Sequence, residues 1–361
     1  MKVSVALCTF NGEKYIVEQL DSILNQTKPV DEIVICDDIS TDETQNIINK
    51  YCNKFPNIIK FHINETNLRS VKNFEKAISI CTGDIIFLSD QDDQWLPDKV
   101  EEIVRHFELN PQISVVATNG NCINDNSELI EDFLVWDVPQ LFIDNKIHLD
   151  FYYLISCFFN IATGATMAIR GKFIKECMPF PIIPNFHHDE WIARVACSKG
   201  QFSFLSKKYI NYRIHEAQQV GGIIYELDDE NKNLNDLLYL LDLDNYKINF
   251  LQYKTKIKRL CNAYYINDKF AKFDINNEIF NTTLFDIKTL IEKYKLNMKK
   301  KYPISAFFLN YADKILNKRK KNKKINLKIT NHVKKVSKTK IIKKSFFTKR
   351  RFVSLLRVKK K

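Results

Sequence analysis

The opening third of this 361-residue chain predicts an α/β fold with a mainly parallel, mixed sheet flanked by helices. Two observations predict it. Short apolar runs fit for buried strands alternate with stretches whose apolar residues recur at helical spacing, the order that gives parallel strands joined by crossover helices. Polar residues then gather at the carboxyl ends of those runs, where sheets of this kind bind ligands.

VSVALCT is the first buried strand, and Ile16, Leu20, Ile23 and Leu24 follow at helical spacing. EIVICDD is the second strand and ends in acids. Ser40-Thr41-Asp42-Glu43 reads as a capping box opening a helix that continues through Ile47, Ile48 and Tyr51. IIKFHIN is the third strand. Phe74, Ala77, Ile78 and Cys81 form a helical stripe that Gly83 ends, and DIIFLS is the fourth strand. Pro97 suits a helix first turn, with Val100, Ile103, Val104 and Phe107 facing inward, and ISVVATN is the fifth strand. Residues 120 to 225 are less periodic and hold the remaining strands and long loops. Leu284, Ile287, Ile291 and Tyr294 mark a helical segment, so the expected organisation is an α/β domain over 1–225, a helical extension over 226–316 and a tail over 317–361.

The 26 Phe and 45% hydrophobic content can build a sizeable core. Nine Cys, an odd number with no CxxC pair, point to reduced thiols rather than a disulfide framework or zinc site. No signal peptide is expected, because MKVSVALCTF reads as a strand running into a turn. No apolar run reaches the ~18 residues of a spanning helix. The charge is split. Of 55 Lys+Arg, 20 lie after Asn317 with no Asp or Glu among them, leaving the body with 35 bases against 43 acids, a net of −8.

Three strand ends should lie side by side: Thr9-Phe10-Asn11-Gly12, Asp37-Asp38 and Asp90-Gln91-Asp92-Asp93. Acids crowded at the end of an apolar strand need a cation or open water. Asp90-Gln91-Asp92 is a D-x-D arrangement against which Mg²⁺ or Mn²⁺ could sit, sharing its sphere with substrate phosphates. A solvated turn is the better explanation of a bare D-x-D, which is a common pattern; DxDD at the end of a buried strand, followed by Trp, Pro and a helix, is much more specific. With Ser40 capping the next helix, the spare acid at 37–38 could accept the imide N–H of a uracil or thymine. There is no P-loop and no GxGxxG.

The segments SVALCTFNGEKYIVEQLDSILNQT, EIVICDDISTDET, NLRSVKNFEKAI, GDIIFLSDQDDQWLPDK, NIATGATMAIR, HHDEWIARVA and YRIHEAQQVGG resemble, in order over about residues 1 to 222, the inverting family 2 glycosyltransferases of the GT-A fold, and within them the bacterial rhamnosyltransferase-like subgroup that builds surface polysaccharide. The resemblance implies that Asp38 contacts the nucleobase near the Thr9 to Asn11 turn, that Asp90 lies against ribose and metal, that Asp92 binds the metal holding the donor diphosphate, and that His215 completes its sphere. It implies Asp189 as general base. NLRSVKNF departs from the pattern, with Arg69 where the subgroup often has Gly.

The chemistry asks for the same parts: a carboxylate to take the acceptor hydroxyl's proton and a cation to offset charge on the departing diphosphate. Around Asp189, His188 reads as an acceptor contact, with a base role as the minor alternative. Trp191 is core or an acceptor-stacking platform, core being favoured. Gly164 admits the acceptor or simply makes a tight turn. Lys72 meets a phosphate or is an ordinary surface lysine. The expected reaction is transfer from a nucleotide-diphosphate sugar, dTDP-rhamnose ahead of UDP-hexose, to a glycan or lipid-linked glycan; a non-catalytic scaffold is the competing class. The tail interleaves Lys and Arg with Phe346, Phe347, Phe352, Val353, Leu355 and Leu356, which suits an anionic membrane surface rather than nucleic acid, for which no base-reading element is seen. A cytoplasmic enzyme, peripheral on the inner face of the plasma membrane, is the expectation.

Overall fold

The structure is a computed structural model that describes residues 1–132, 134–146, 149–184, 186–216, 249–273 and 278–305. In chain order the elements are β1 (Val3–Thr9), α1 (Ile16–Leu24), β2 (Glu32–Asp37), α2 (Thr44–Lys54), β3 (Ile59–Ile63), α3 (Arg69–Ile80), β4 (Ile85–Ser89), the two-residue β5 (Gln94–Trp95), α4 (Lys99–Leu109), β6 (Val115–Ile123), β7 (Leu129–Ile130), α5 (Val138–Asp144), α6 (Phe151–Cys157), β8 (Met167–Arg170), α7 (Ile174–Cys177), α8 (His188–Ser198), β9 (Phe202–Arg213), α9 (Phe250–Phe273) and α10 (Glu278–Lys301).

These strands form one sheet in the order β3-β2-β1-β4-β8-β6-β9-β5, with β7 paired to β6. β3, β2, β1 and β4 run parallel. β8 runs antiparallel to β4 and β6, β9 parallel to β6, and β5 antiparallel to β9. Strand periodicity sorts the core. Ala6, Cys8, Val34, Cys36, Ile86 and Leu88 face α3 and α8; Val5, Leu7, Ile33, Ile35, Ile85 and Phe87 face α1 and α4. The register sets Thr9 beside Asp37 and Leu7 beside Ser89, so the polar ends of β1, β2 and β4 meet as expected.

One local expectation fails. The Ser40 capping box does not form, and α2 begins at Thr44. The Ser40 hydroxyl instead donates to Asp37 Oδ2 and accepts from the Asn11 N–H at 2.9 Å. A buried carboxylate outcompetes the helix end, and Asp42 Oδ1 takes the Thr44 N–H at 3.1 Å.

The chain divides into two compact units, Met1–Leu296 and Asn297–Lys361. The first includes α9 and most of α10, on which Ile287, Ile291 and Tyr294 are buried as their spacing predicts. Asn267 of α9 donates to the Ser156 carbonyl at 2.9 Å and accepts from Arg194 of α8 at 2.9 Å. Of the second unit only 297–305 is described, and within it α10 continues to Lys301. The boundary expected near residue 225 and the basic tail lie outside the described residues. No helix of the described residues is long and apolar enough to cross a membrane.

Candidate active site

A cleft of about 170 Å³ opens where β1 and β2 end, lined by Cys8, Thr9, Phe10, Asp38, Asn67, Arg69, Ser70, Asn73 and Gln91. Thr9 is buried and its hydroxyl donates to Asp37 Oδ2 at 2.8 Å. Asn11 has a φ of 48°, and its side-chain oxygen accepts the Thr41 N–H at 2.8 Å, tying the β1 turn to the β2 loop. Asp38 is also buried. Its carboxylate accepts from the Leu68 and Arg69 N–H groups at 2.7 and 2.8 Å and from Asn64 Nδ2 at 2.9 Å. A carboxylate offers about four lone-pair sites, so one remains for a ligand. Arg69 sits at φ 60°, the left-handed region glycine favours. The backbone therefore takes the glycine path although the residue is Arg, and its N–H reaches Asp38.

Beside this cleft lies the acidic turn after β4. Asp92 Oδ2 is 2.8 Å from His215 Nε2. Asp93 is buried and accepts the Arg213 N–H at 3.0 Å. Burial, then the charges of Asp92 and Asp189, push the Asp90 carboxyl up to about 8. Part of the counter-charge is built in. Lys99, fully buried, donates to the Ala165 carbonyl at 2.7 Å and lies 4.0 Å over the Trp95 ring. Burial brings its amine down to about 7 while Asp93 and Asp90 oppose the shift. Arg213, also buried, donates to the Asp92 carbonyl at 2.8 Å, to Ser127 Oγ at 3.0 Å and to Glu18 at 2.7 Å.

Gln91, between the two acids, joins this turn to the β1 turn. Its Oε1 accepts the Phe10 N–H at 2.7 Å and its Nε2 donates to the Phe10 carbonyl at 3.0 Å. A Cβ on Gly12 would stand 2.3 Å from Gln91 Oε1. The third wall comes from the first turn of α8. Asp189 Oδ2 accepts the Gly164 N–H at 2.9 Å, and a Cβ on Gly164 would lie 3.2 Å from His188 Nε2. Gly164, His188 and Asp189 are thus neighbours, and Asp189 is close enough to act on Asp90.

The model for the family "Glycosyl transferase family 2" matches residues 4–169. The dTDP-rhamnosyl transferase RfbG of Shigella flexneri is 31% identical over 232 residues, covering 60% of this chain and 74% of that one. The chain belongs to glycosyltransferase family 2. An uncharacterized glycosyltransferase of Methanocaldococcus jannaschii is 28% identical over 215 residues, 59% of this chain and 70% of that one. Staphylococcus aureus TarS, solved with UDP-GlcNAc, aligns over 72% of each chain at 20% identity and a TM-score of 0.47. As a family 2 glycosyltransferase the chain has the GT-A fold: a mixed sheet whose first four pairing strands run parallel, with helices on both faces.

In this glycosyltransferase two expected site residues sit elsewhere. Lys72 is held by Glu75 at 2.7 and 2.9 Å and is not part of the cleft wall, because that acid stands one helical turn away. Arg69 is the cation of that wall instead. Trp191 is core, as favoured: it is 3% exposed, donates to the Cys177 carbonyl at 2.7 Å and stacks on Phe270 at 5.2 Å. Lys99, Gln91 and Arg213 were not singled out. A buried lysine at a helix start reads like any surface lysine, and only the Arg two residues before His215 carried a signal.

The Gly12–Gln91 fit gives an expected result. Gly12→Ala must expel the Gln91 amide and lose both hydrogen bonds to Phe10, costing about 1–3 kcal/mol. Because the two act together, Gly12→Ala added to Gln91→Ala should cost little more than Gln91→Ala alone. Denaturant titration of the three variants checks this; additive losses would contradict it.

His188 gives a pH dependence. Its ring stacks 4.0 Å from Phe74, and neither nitrogen has a hydrogen-bond partner among the described residues. Burial lowers its pKa to about 4, with His187 acting the same way and Asp189 opposing. The unfolded imidazole titrates near ~6.5, so between these values the unfolded state binds more protons. Stability therefore falls as pH drops through that window, by roughly 3 kcal/mol in all. His188→Leu should flatten this part of the profile, read from unfolding midpoints between pH 4 and 7. An unchanged slope would show that the imidazole is not the titrating group.

Proposed function

We propose that this family 2 glycosyltransferase moves a sugar from a nucleoside diphosphate donor to a hydroxyl of a glycan or lipid-linked glycan, with inversion, in bacterial surface polysaccharide synthesis. The observation that carries the reading is the convergence of Asp90, Asp92 and Asp189 beside the cleft that Asp38 lines. Asp38, held by two backbone N–H groups, keeps an acceptor site for the imide N–H of thymine or uracil. The donor proposed is dTDP-rhamnose, supported by the likeness to RfbG; a UDP-hexose, whose base offers the same imide, is the second reading.

Among the described residues no group of three or more His, Cys, Asp or Glu stands ready as a metal cage. Mg²⁺ needs none, since it is bound by one or two carboxylates plus substrate phosphates and water. The donor set fits. Asp92 Oδ2 and His215 Nε2 lie 2.8 Å apart, and Asp90 is an acid forced towards its neutral form by burial and then by the like charges of Asp92 and Asp189, which a cation would relieve. Asp90, Asp92 and His215 would hold Mg²⁺ or Mn²⁺, which would supply positive charge against the departing diphosphate.

The chain's own residues do the rest. Arg213 and Gln91 fix the acidic turn, so the carboxylates need not reorganise as charge moves. Asp189, its Oδ2 anchored by the Gly164 N–H, takes the proton of the attacking hydroxyl. Thr9 and Asn11 keep the base-side loops in place. Purified full chain offered dTDP- and UDP-sugars with Mn²⁺ or Mg²⁺ tests the reading. Nucleotide release from dTDP-rhamnose supports it, release from UDP-sugars alone selects the second reading, and release from none selects a scaffold.

The basic tail supports a membrane-proximal, cytoplasmic-face location. Each Lys or Arg near an anionic leaflet contributes roughly 1 kcal/mol, screened as the Debye length shrinks from ~10 Å at 0.1 M salt to ~3 Å at 1 M. The full chain should sediment with anionic liposomes at low salt and release at high salt. Equal partition onto neutral vesicles would contradict this.

A further inference from the structure

A second cavity, about 220 Å³, lies between α6, α8 and α9, away from the nucleotide cleft. Two stretches of chain connect it to the reaction centre. Glu190 is on its wall and directly follows Asp189, and neighbouring Cα atoms are about 3.8 Å apart. Asn160 is also on its wall and stands four residues before Gly164, a reach of at most about 14 Å. A glycan whose terminal hydroxyl meets Asp189 is therefore within reach of the cavity with its next residues.

The lining has two kinds of surface. Phe158, Phe159 and Ile266 supply apolar walls, and Arg259 and Asn262 of α9 share one helix face as exposed hydrogen-bonding groups. Glu190 is the fixed polar element. Its Oε1 accepts from Arg194 Nε at 3.1 Å and Nη2 at 2.6 Å, while Oε2 accepts no hydrogen bond among the described residues. Arg194, 2% exposed, is itself locked by Asn267 and by the Ile155 carbonyl. The carboxylate is thus held in place with one oxygen left over.

We propose that this cavity is the acceptor subsite and that it takes a neutral, hydroxylated pyranose of the acceptor glycan next to the sugar that is glycosylated. A sugar ring matches both surfaces: its C–H faces suit the aromatic walls, and its hydroxyls suit Glu190 Oε2, Asn262 and Arg259. The proposal rests on the glycosyltransfer reading and names the part of the acceptor that reading leaves open.

The test uses full chain with dTDP or UDP and Mn²⁺, probed by saturation-transfer NMR with the methyl glycosides of rhamnose, glucose, galactose and N-acetylglucosamine. At least one glycoside should bind. Asn262→Trp, which fills the cavity from an exposed position, and Arg259→Ala should each weaken that signal at least about five-fold with an unchanged thermal melt. Binding of none of the four, or a signal that both variants leave intact, would overturn the subsite. Calorimetric titration of the same samples with the nucleotides reports on the donor side. If neither nucleotide binds, the glycosyltransfer reading itself fails, and that result is distinct from a cavity that ignores sugars while nucleotide binds.

Discussion

Asp189→Asn should cut turnover by about a hundred- to ten-thousand-fold and leave donor affinity within a few-fold. The substitution keeps the shape of the side chain, and an Asn oxygen can still accept the Gly164 N–H that Asp189 accepts at 2.9 Å, giving up only the Glu190 N–H that the other carboxylate oxygen accepts at 2.6 Å. The first turn of α8 should therefore stay in place while the proton acceptor is lost. The cleft proposed for the nucleotide is built by other elements, the ends of β1 and β2 and the start of α3, so calorimetric donor binding has no reason to change. Single-turnover rates at saturating acceptor, set beside donor affinity, separate the two effects. If Asp189→Asn abolishes donor binding and Glu190→Gln stops turnover, the base has been assigned to the wrong carboxylate.

Asp92→Asn should lower metal-dependent transfer by on the order of a hundred-fold or more, and excess chelator should do the same to the unaltered chain. Asp92 meets His215 at 2.8 Å across the turn that Arg213 pins. An amide there keeps one oxygen but loses the charge that a hard cation needs. Donor affinity in the presence of Mn²⁺ should weaken, and in its absence the variant and the unaltered chain should bind donor alike. Full activity in chelator, or in Asp92→Asn, would remove the cation from the mechanism.

The parallel part of the fold was legible because its signals are local. VSVALCT, EIVICD and IIFLS are apolar runs buried along their length, and Phe74, Ala77 and Ile78 form the predicted inner stripe of α3. The meeting of the three polar strand ends followed from parallel topology alone. Tertiary competition was not legible. Ser40 has the right spacing to cap a helix, but a carboxylate three residues earlier takes its hydroxyl. Lys72 reads as a phosphate ligand or, more safely, as a surface lysine, and only the structure sets Glu75 beside it. The cations that answer the acid cluster, Lys99 and Arg213, come from a helix start and a strand end separated by more than a hundred residues, and no periodicity links them. Arg69 is an intermediate case. The sequence marked it as a departure from a glycine position, and the backbone holds it at φ 60° all the same.

The way α9 closes over α8 bears on how such an enzyme can evolve. Phe270 stacks on Trp191, and Asn267 is hydrogen-bonded to Arg194, both on the helix that begins at His188 and carries Asp189. A segment acquired as a loose appendage could be lost or exchanged without touching catalysis. Here its removal would bare the aromatic face of the helix that carries Asp189, the proposed base, and leave the Arg194 guanidinium short of a partner. Arg259 and Asn262 stand exposed on the rim of α9 and can change without touching that packing. The helix itself is tied to α8 through Trp191 and Arg194, so point substitution at its rim disturbs the fold less than loss of the whole segment would.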